Sequence, residues 1–189
     1  MEQICIVEFE EVITEWAKRE NCSKEQIWLK RDPVLSRLPF DTTWSKIKIT
    51  KEDLPSLKLI NGDIGWLDLS VHTGDIEIAS RNVDIFSKMP NKLPQGMLPN
   101  GKTRQEYFDE LVVSLHKFRR LAGRRTQNLT LVLISTGFNN SYTILEGNHT
   151  AVGLYLRHFI DTPQAQYPDQ IAYLGISKDM INNRFYHRS

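Results

Sequence analysis

The sequence predicts a mixed α+β protein with a helical preface. Two changes of hydrophobic period and one absence carry that expectation. Apolar residues recur at helical spacing in the first 20 positions and again after residue 103, whereas between and beyond these stretches they alternate in short runs. No run approaches the roughly 20 apolar residues that a membrane span requires. The organisation read from this is an N-terminal helical extension over 1–40 and an α/β domain over 41–189.

Phe9, Val12, Ile13, Trp16 and Ala17 predict an amphipathic helix over roughly 5–19. Ser23-Lys24-Glu25-Gln26 has the form of a capping box and predicts a second short helix through Trp28 and Leu29, with Pro33 and Pro39 breaking regular structure after it. From Ser45 the period shortens to two: "KIKIT" and "LKLI" read as strands, and "GWLDLSVHTGDIEIAS" reads as a β-hairpin turning at His72–Asp75. Prolines and glycines without apolar periodicity between Met89 and Lys102 predict a loop, either a lid or a plain connection.

Thr103-Arg104-Gln105-Glu106 is a second capping box. It opens a helix whose apolar face is Phe108, Leu111, Val112, Leu115, Phe118 and Ala122, with Gly123 at its C-terminal end. "LTLVLIS" and "YTILEG" follow as strands, then a helix from His149 to Ile160, a strand "IAYLGIS" and a last short helix capped by Ser177.

Composition narrows the function classes. A net charge of +1 on 189 residues offers no global field to attract nucleic acid. Cys5 and Cys22 are in neither a disulfide framework nor a zinc-ligand spacing, and no metal site is predicted. The start "MEQICIVEFEEVITEW" lacks the basic and apolar regions of a signal peptide, so the sequons at Asn128, Asn139 and Asn148 read as chance matches and a cytoplasmic location is expected.

The residues that carry chemistry cluster at one strand-to-helix junction, "YTILEGNHTAVGLYLRHFI". A helix N-terminus presents unpaired backbone N–H groups and partial positive charge, which suits an anion. Gly147 permits a sharp turn, while Asn148, His149 and Thr150 bring side-chain donors, and Glu146 brings a carboxylate able to act as base or metal ligand. Glu146 and His149 are therefore the candidate catalytic residues, and Gly147, Asn148 and Thr150 the candidate binding residues. The same residue types also suit plain turn and cap chemistry. The helix that follows is apolar on nearly every side, so it is expected to be buried and its first turn held rigidly.

Capped helix, strand, turn, strand and "ILEGNHTAVGLYL" together resemble the core of the ParB/sulfiredoxin-like superfamily over about 103–160. Glu146, Gly147, Asn148 and His149 match the first four places of its motif, and Gly153 matches the small residue further on. The resemblance implies a mixed sheet with helices, and phosphate binding at this helix start by a nucleotide such as ATP, ADP or CTP, with Mg²⁺ as a further cofactor. Thr150 stands where the family's phosphate-gripping arginine is expected. Asn148 stands where sulfiredoxins carry their catalytic cysteine, which argues against sulfinic-acid repair.

In that fold the loop after the capped helix faces the phosphate, so Arg124 or Arg125 of the basic run "HKFRRLAGRR" would supply the missing charge. A nucleic-acid backbone is the other client for this run. His72 and Asp75, with Asp68 upstream, offer a metal or base cluster, but His72 and Asp75 read first as turn residues. His158, nine positions beyond His149, falls on the opposite side of a regular helix and reads as a partner of the dipole at its end. Two functions follow as expectations. One is an enzyme of phosphoryl transfer or nucleotide hydrolysis acting on a phosphorylated small molecule or nucleotide. The alternative is a non-catalytic DNA-binding or protein-interaction module on the same fold.

Overall fold

The computed structural model describes residues 1–61, 64–97, 101–122, 131–138, 140–167 and 170–187, with the backbone alone at 64 and 116–122. The described residues form one six-stranded mixed sheet with helices on both faces. In chain order the elements are β1 (Glu2–Val7), α1 (Phe9–Glu20), α2 (Lys24–Leu35), β2 (Thr43–Ile49), β3 (Leu57–Lys58), α3 (Ile64–Leu69), α4 (Ile76–Lys88), α5 (Arg104–Ala122), β4 (Leu131–Ser135), β5 (Tyr142–Glu146), α6 (Asn148–Tyr155) and β6 (Gln170–Ile176). The strands lie in the order β1-β2-β6-β4-β5-β3. The β6–β4 and β5–β3 pairs are parallel and the others antiparallel.

Strand alternation splits the core into two layers. On one face Ile13 and Trp16 of α1 and Ile27 of α2 pack on Trp44, Val132, Ile134, Leu145 and Tyr173. On the other, Trp66, Ile76, Val83, Leu111, Leu115 and Val152 pack on Ile47, Leu131, Leu133, Ile144 and Leu174. Strand β4 is buried along its whole length, as a central strand covered on both faces must be.

Several sequence expectations need correction. The first helix begins at Phe9, not at 5, because residues 2–7 pair with β2 as an edge strand. That strand is almost wholly exposed, so no burial imposed a readable alternation on it. The second helix starts from the expected capping box but runs on through Pro33 to Leu35.

The stretch read as a hairpin is two helices, α3 and α4. Residues 70–75 form the corner between them, with positive φ at Val71, His72 and Gly74. Ile76, Ala79, Ser80 and Val83 are the buried residues of α4, a helical spacing that emerges only when the window extends past residue 80. The helix expected from His149 to Ile160 opens one residue earlier, and its last turn widens into a π-helical segment, Leu156–Asp161. His158 lies within this segment. It is buried, edge-on to the Tyr167 ring at 5.1 Å.

The capping box of α5 is present in full. Thr103 N–H donates to Glu106 Oε2 at 2.8 Å, and Glu106 N–H donates to Thr103 Oγ1 at 3.1 Å. Replacing Thr103 with Ala removes one orphan-donor partner and is expected to lower the unfolding free energy by about 1 kcal/mol. Urea denaturation checks this, and an unchanged midpoint contradicts the role given to the cap.

Candidate functional site

The junction between β5 and α6 touches helices of both layers, α1 and α2 through Glu146 and α3 through His149. Strand β5 buries Thr143, Ile144 and Leu145 and then emerges at Glu146. Gly147 turns the chain at φ +99°, a conformation that favours glycine, and precedes the first residue of α6. A Cβ at Gly147 would lie 2.6 Å from Leu131 Cδ2 and 3.3 Å from Arg19 Nη1, so a larger residue would also have to displace the Leu131 side chain.

Glu146 is held by two guanidinium groups from the other layer. Arg19, in the last turn of α1, reaches one carboxylate oxygen at 2.5 Å, and Arg31 of α2 reaches the other at 3.0 Å. Glu146 and Arg19 are mostly buried, while Arg31 keeps 39% of its side chain exposed. Arg31 also lies over the Trp16 ring at 5.8 Å, and the buried Trp16 Nε1–H finds no acceptor among the described residues. Arg19 also reaches Glu20 at 3.1 Å, so two guanidinium groups face two carboxylates and the cluster is balanced in charge beside the positive end of α6.

The remaining junction residues divide between structure and access. Asn148 is buried, and its Oδ1 accepts the N–H of Ile60 at 3.0 Å, pinning the segment after β3 to the start of α6. Thr150 is buried as well. His149 is the partly exposed member of the turn, and its ring meets Trp66 of α3 edge-on at 5.1 Å. Glu146, Gly147, Asn148, His149 and Thr150 are thus gathered as consecutive residues of one turn. Arg124 and Arg125, expected to face them, lie outside the described residues.

A metal ion does not fit the donor set at this turn. Both oxygens of Glu146 face guanidinium groups, and among the described residues no group of three or more His, Cys, Asp or Glu side chains could hold a metal. His72, Asp75 and Asp68 do not come together as one cluster either. His72 is exposed at positive φ, Asp75 starts α4 and pairs with Lys58, and Asp68 pairs with Arg104 at 2.7 Å.

Sequence reasoning missed Arg19, Arg31 and the Ile60 contact. Arg19 is 127 positions from Glu146, and no local period announces such a pairing. The available signal was slight: Arg19 follows Trp16 by three residues, so a basic side chain shares the buried face of α1.

Gly147→Ala is expected to lower the unfolding free energy by about 1–3 kcal/mol, through left-handed backbone strain and the Leu131 contact. Urea denaturation measures it. A change near zero would show that the turn can relax into another conformation.

Comparison with known proteins adds no relative to this geometry: no family model, no curated protein and no solved structure matches the chain.

Proposed function

We propose that the chain binds the phosphate of a nucleotide or other phosphorylated small molecule at the Glu146–Thr150 turn, on a ParB/sulfiredoxin-like fold. The proposed chemistry is phosphoryl transfer or nucleotide hydrolysis. The observation that carries this reading is the convergence of Arg19 and Arg31 on Glu146, immediately before the first turn of α6. Guanidinium groups are the usual partners of phosphate, and here they stand beside backbone N–H groups that a helix cannot satisfy by itself. Once the phosphate displaces their carboxylate partners, they supply the cationic charge that Thr150 does not.

In this reading the phosphate competes with Glu146 for the guanidinium donors. The first-turn N–H groups cradle it, and His149 donates a further hydrogen bond from the accessible side of the turn. Glu146, released from its counter-ions, accepts the proton of the attacking hydroxyl or water. ATP, ADP and CTP are the ligands to try first. Mg²⁺ enters with the phosphates if it is needed, since phosphate oxygens provide most of its ligands in many nucleotide sites.

The engagement of both Glu146 oxygens also favours a second reading, in which the carboxylate is a permanent counter-ion and the protein binds without turnover. A DNA-binding or protein-interaction module is then the function. Duplex binding would weaken steeply with salt, whereas an enclosed nucleotide would be less sensitive.

A thermal-shift series with ATP, ADP, CTP, GTP and pyrophosphate, each with and without Mg²⁺, tests the binding claim. A ligand at about 100 times its dissociation constant adds about 2.7 kcal/mol, which raises the midpoint by roughly 5–10 °C in a chain of this length. The shift is expected in the natural protein and reduced in His149→Ala. No shift with any of these ligands contradicts the reading.

Glu146→Gln separates the two functions. Loss of turnover with the ligand-induced shift retained is expected if Glu146 is the base. Full turnover in that variant removes it from the chemistry.

A further inference from the structure

The C-terminal segment 183–187 is fastened to three separate parts of the fold. Asn183 Nδ2 donates to the Arg37 carbonyl at 2.9 Å, the Phe185 carbonyl accepts from Asn61 N–H at 3.1 Å, and His187 N–H donates to Thr143 Oγ1 at 2.9 Å. Asn61 follows Ile60, whose N–H is held by Asn148, so this segment braces the chain that leads from β3 to the junction.

His187 is the last described fastening and the least ordinary one. It is only 8% exposed, and its Nε2 has no hydrogen-bond partner among the described residues. The ring sits so close to Gly74 that a Cβ there would lie 2.6 Å from Nε2. Gly74 itself is at φ +72°, so the corner between α3 and α4 is shaped to receive the imidazole. The charged groups facing the ring are Lys58 of β3 and Asp75 at the head of α4, which are paired with each other.

A neutral ring fits this pocket and a charged one does not. Protonation would bury a cation and leave an N–H donor without an acceptor, close to the Lys58 ammonium. Asp75 opposes this, but its carboxylate is already taken by Lys58.

We propose that His187 is a pH-sensitive latch whose protonation releases residues 183–187 from β5 and loosens the brace at 58–61. Burial above all, and then Lys58, holds the docked imidazole below its ordinary value, while Asp75 pulls the other way. A released ring titrates near its ordinary value of about 6.5. Because the docked form binds the proton more weakly, docking is complete above that pH and is lost as the pH falls below it. Between the two values the loss is at most about tenfold per pH unit. The latch does not depend on the junction's binding phosphate, although its release would loosen the segment that Asn148 holds.

Hydrogen exchange of the full chain from about pH 7.5 to about pH 5, corrected for the intrinsic pH dependence of exchange, tests the latch. Protection at 58–61 and 183–187 is expected to fall by up to about tenfold per unit below pH ~6.5, while protection in β4 stays constant. The His187 ring, followed by NMR, is expected to titrate below its ordinary value. H187F and H187Q, which cannot take up the proton, are expected to give flat profiles. Constant protection in the natural protein, an ordinary titration of its ring, or the same acid-induced loss in both variants would each overturn the latch. The first two outcomes need no variant to fold.

Discussion

The bridge from Arg19 and Arg31 to Glu146 joins what local structure alone would leave apart. It ties the α1–α2 layer to the end of β5, at the residue before α6 begins. Withdrawing most of Arg19 and Glu146 from water is unfavourable, and hydrophobic residues of equal volume often serve stability as well or better. Apolar contacts between α1, α2 and the sheet already hold that layer in position. The proposed phosphate would take the place of carboxylates on these guanidinium groups, beside the N-terminus of α6.

The surroundings make the cluster rigid. Gly147 sits at a left-handed φ against Leu131, Asn148 anchors the segment after β3, and α6 is buried on nearly every side. Movement is left to Arg31, the most exposed member, and to His149 at the partly exposed side of the turn. For the proposed phosphate, whose charge is spread over several oxygens, Arg31 is the cation best placed to adjust. The C-terminal segment contributes from a distance, since it braces the same chain that Asn148 holds.

What was legible in the sequence follows the range of the interactions involved. The capping boxes at Ser23 and Thr103 could be read because each is complete within four residues. The strands at 43–49, 131–135, 142–146 and 170–176 could be read because burial imposes apolar runs or alternation on them. Strand β1 could not, since an exposed edge strand is under no such demand. Alternation over 66–78 misled because a helix and a strand share several apolar positions in a short window. Only Ala79, Ser80 and Val83 distinguish them. At the junction, Glu146–Thr150 was visible as a local motif, whereas its arginines arrive through tertiary packing and left almost no local trace.

The central claim is that Arg19 and Arg31 make the Glu146–Thr150 turn a phosphate site. Titration calorimetry of pyrophosphate and ATP into the natural protein and an R19Q/R31Q double variant tests it most directly. The account predicts saturable binding in the natural protein and a loss of at least about tenfold in the variant, roughly 1.4 kcal/mol or more, with the variant still folded. Absence of binding to the folded natural protein, or equal affinity in the two, would contradict it.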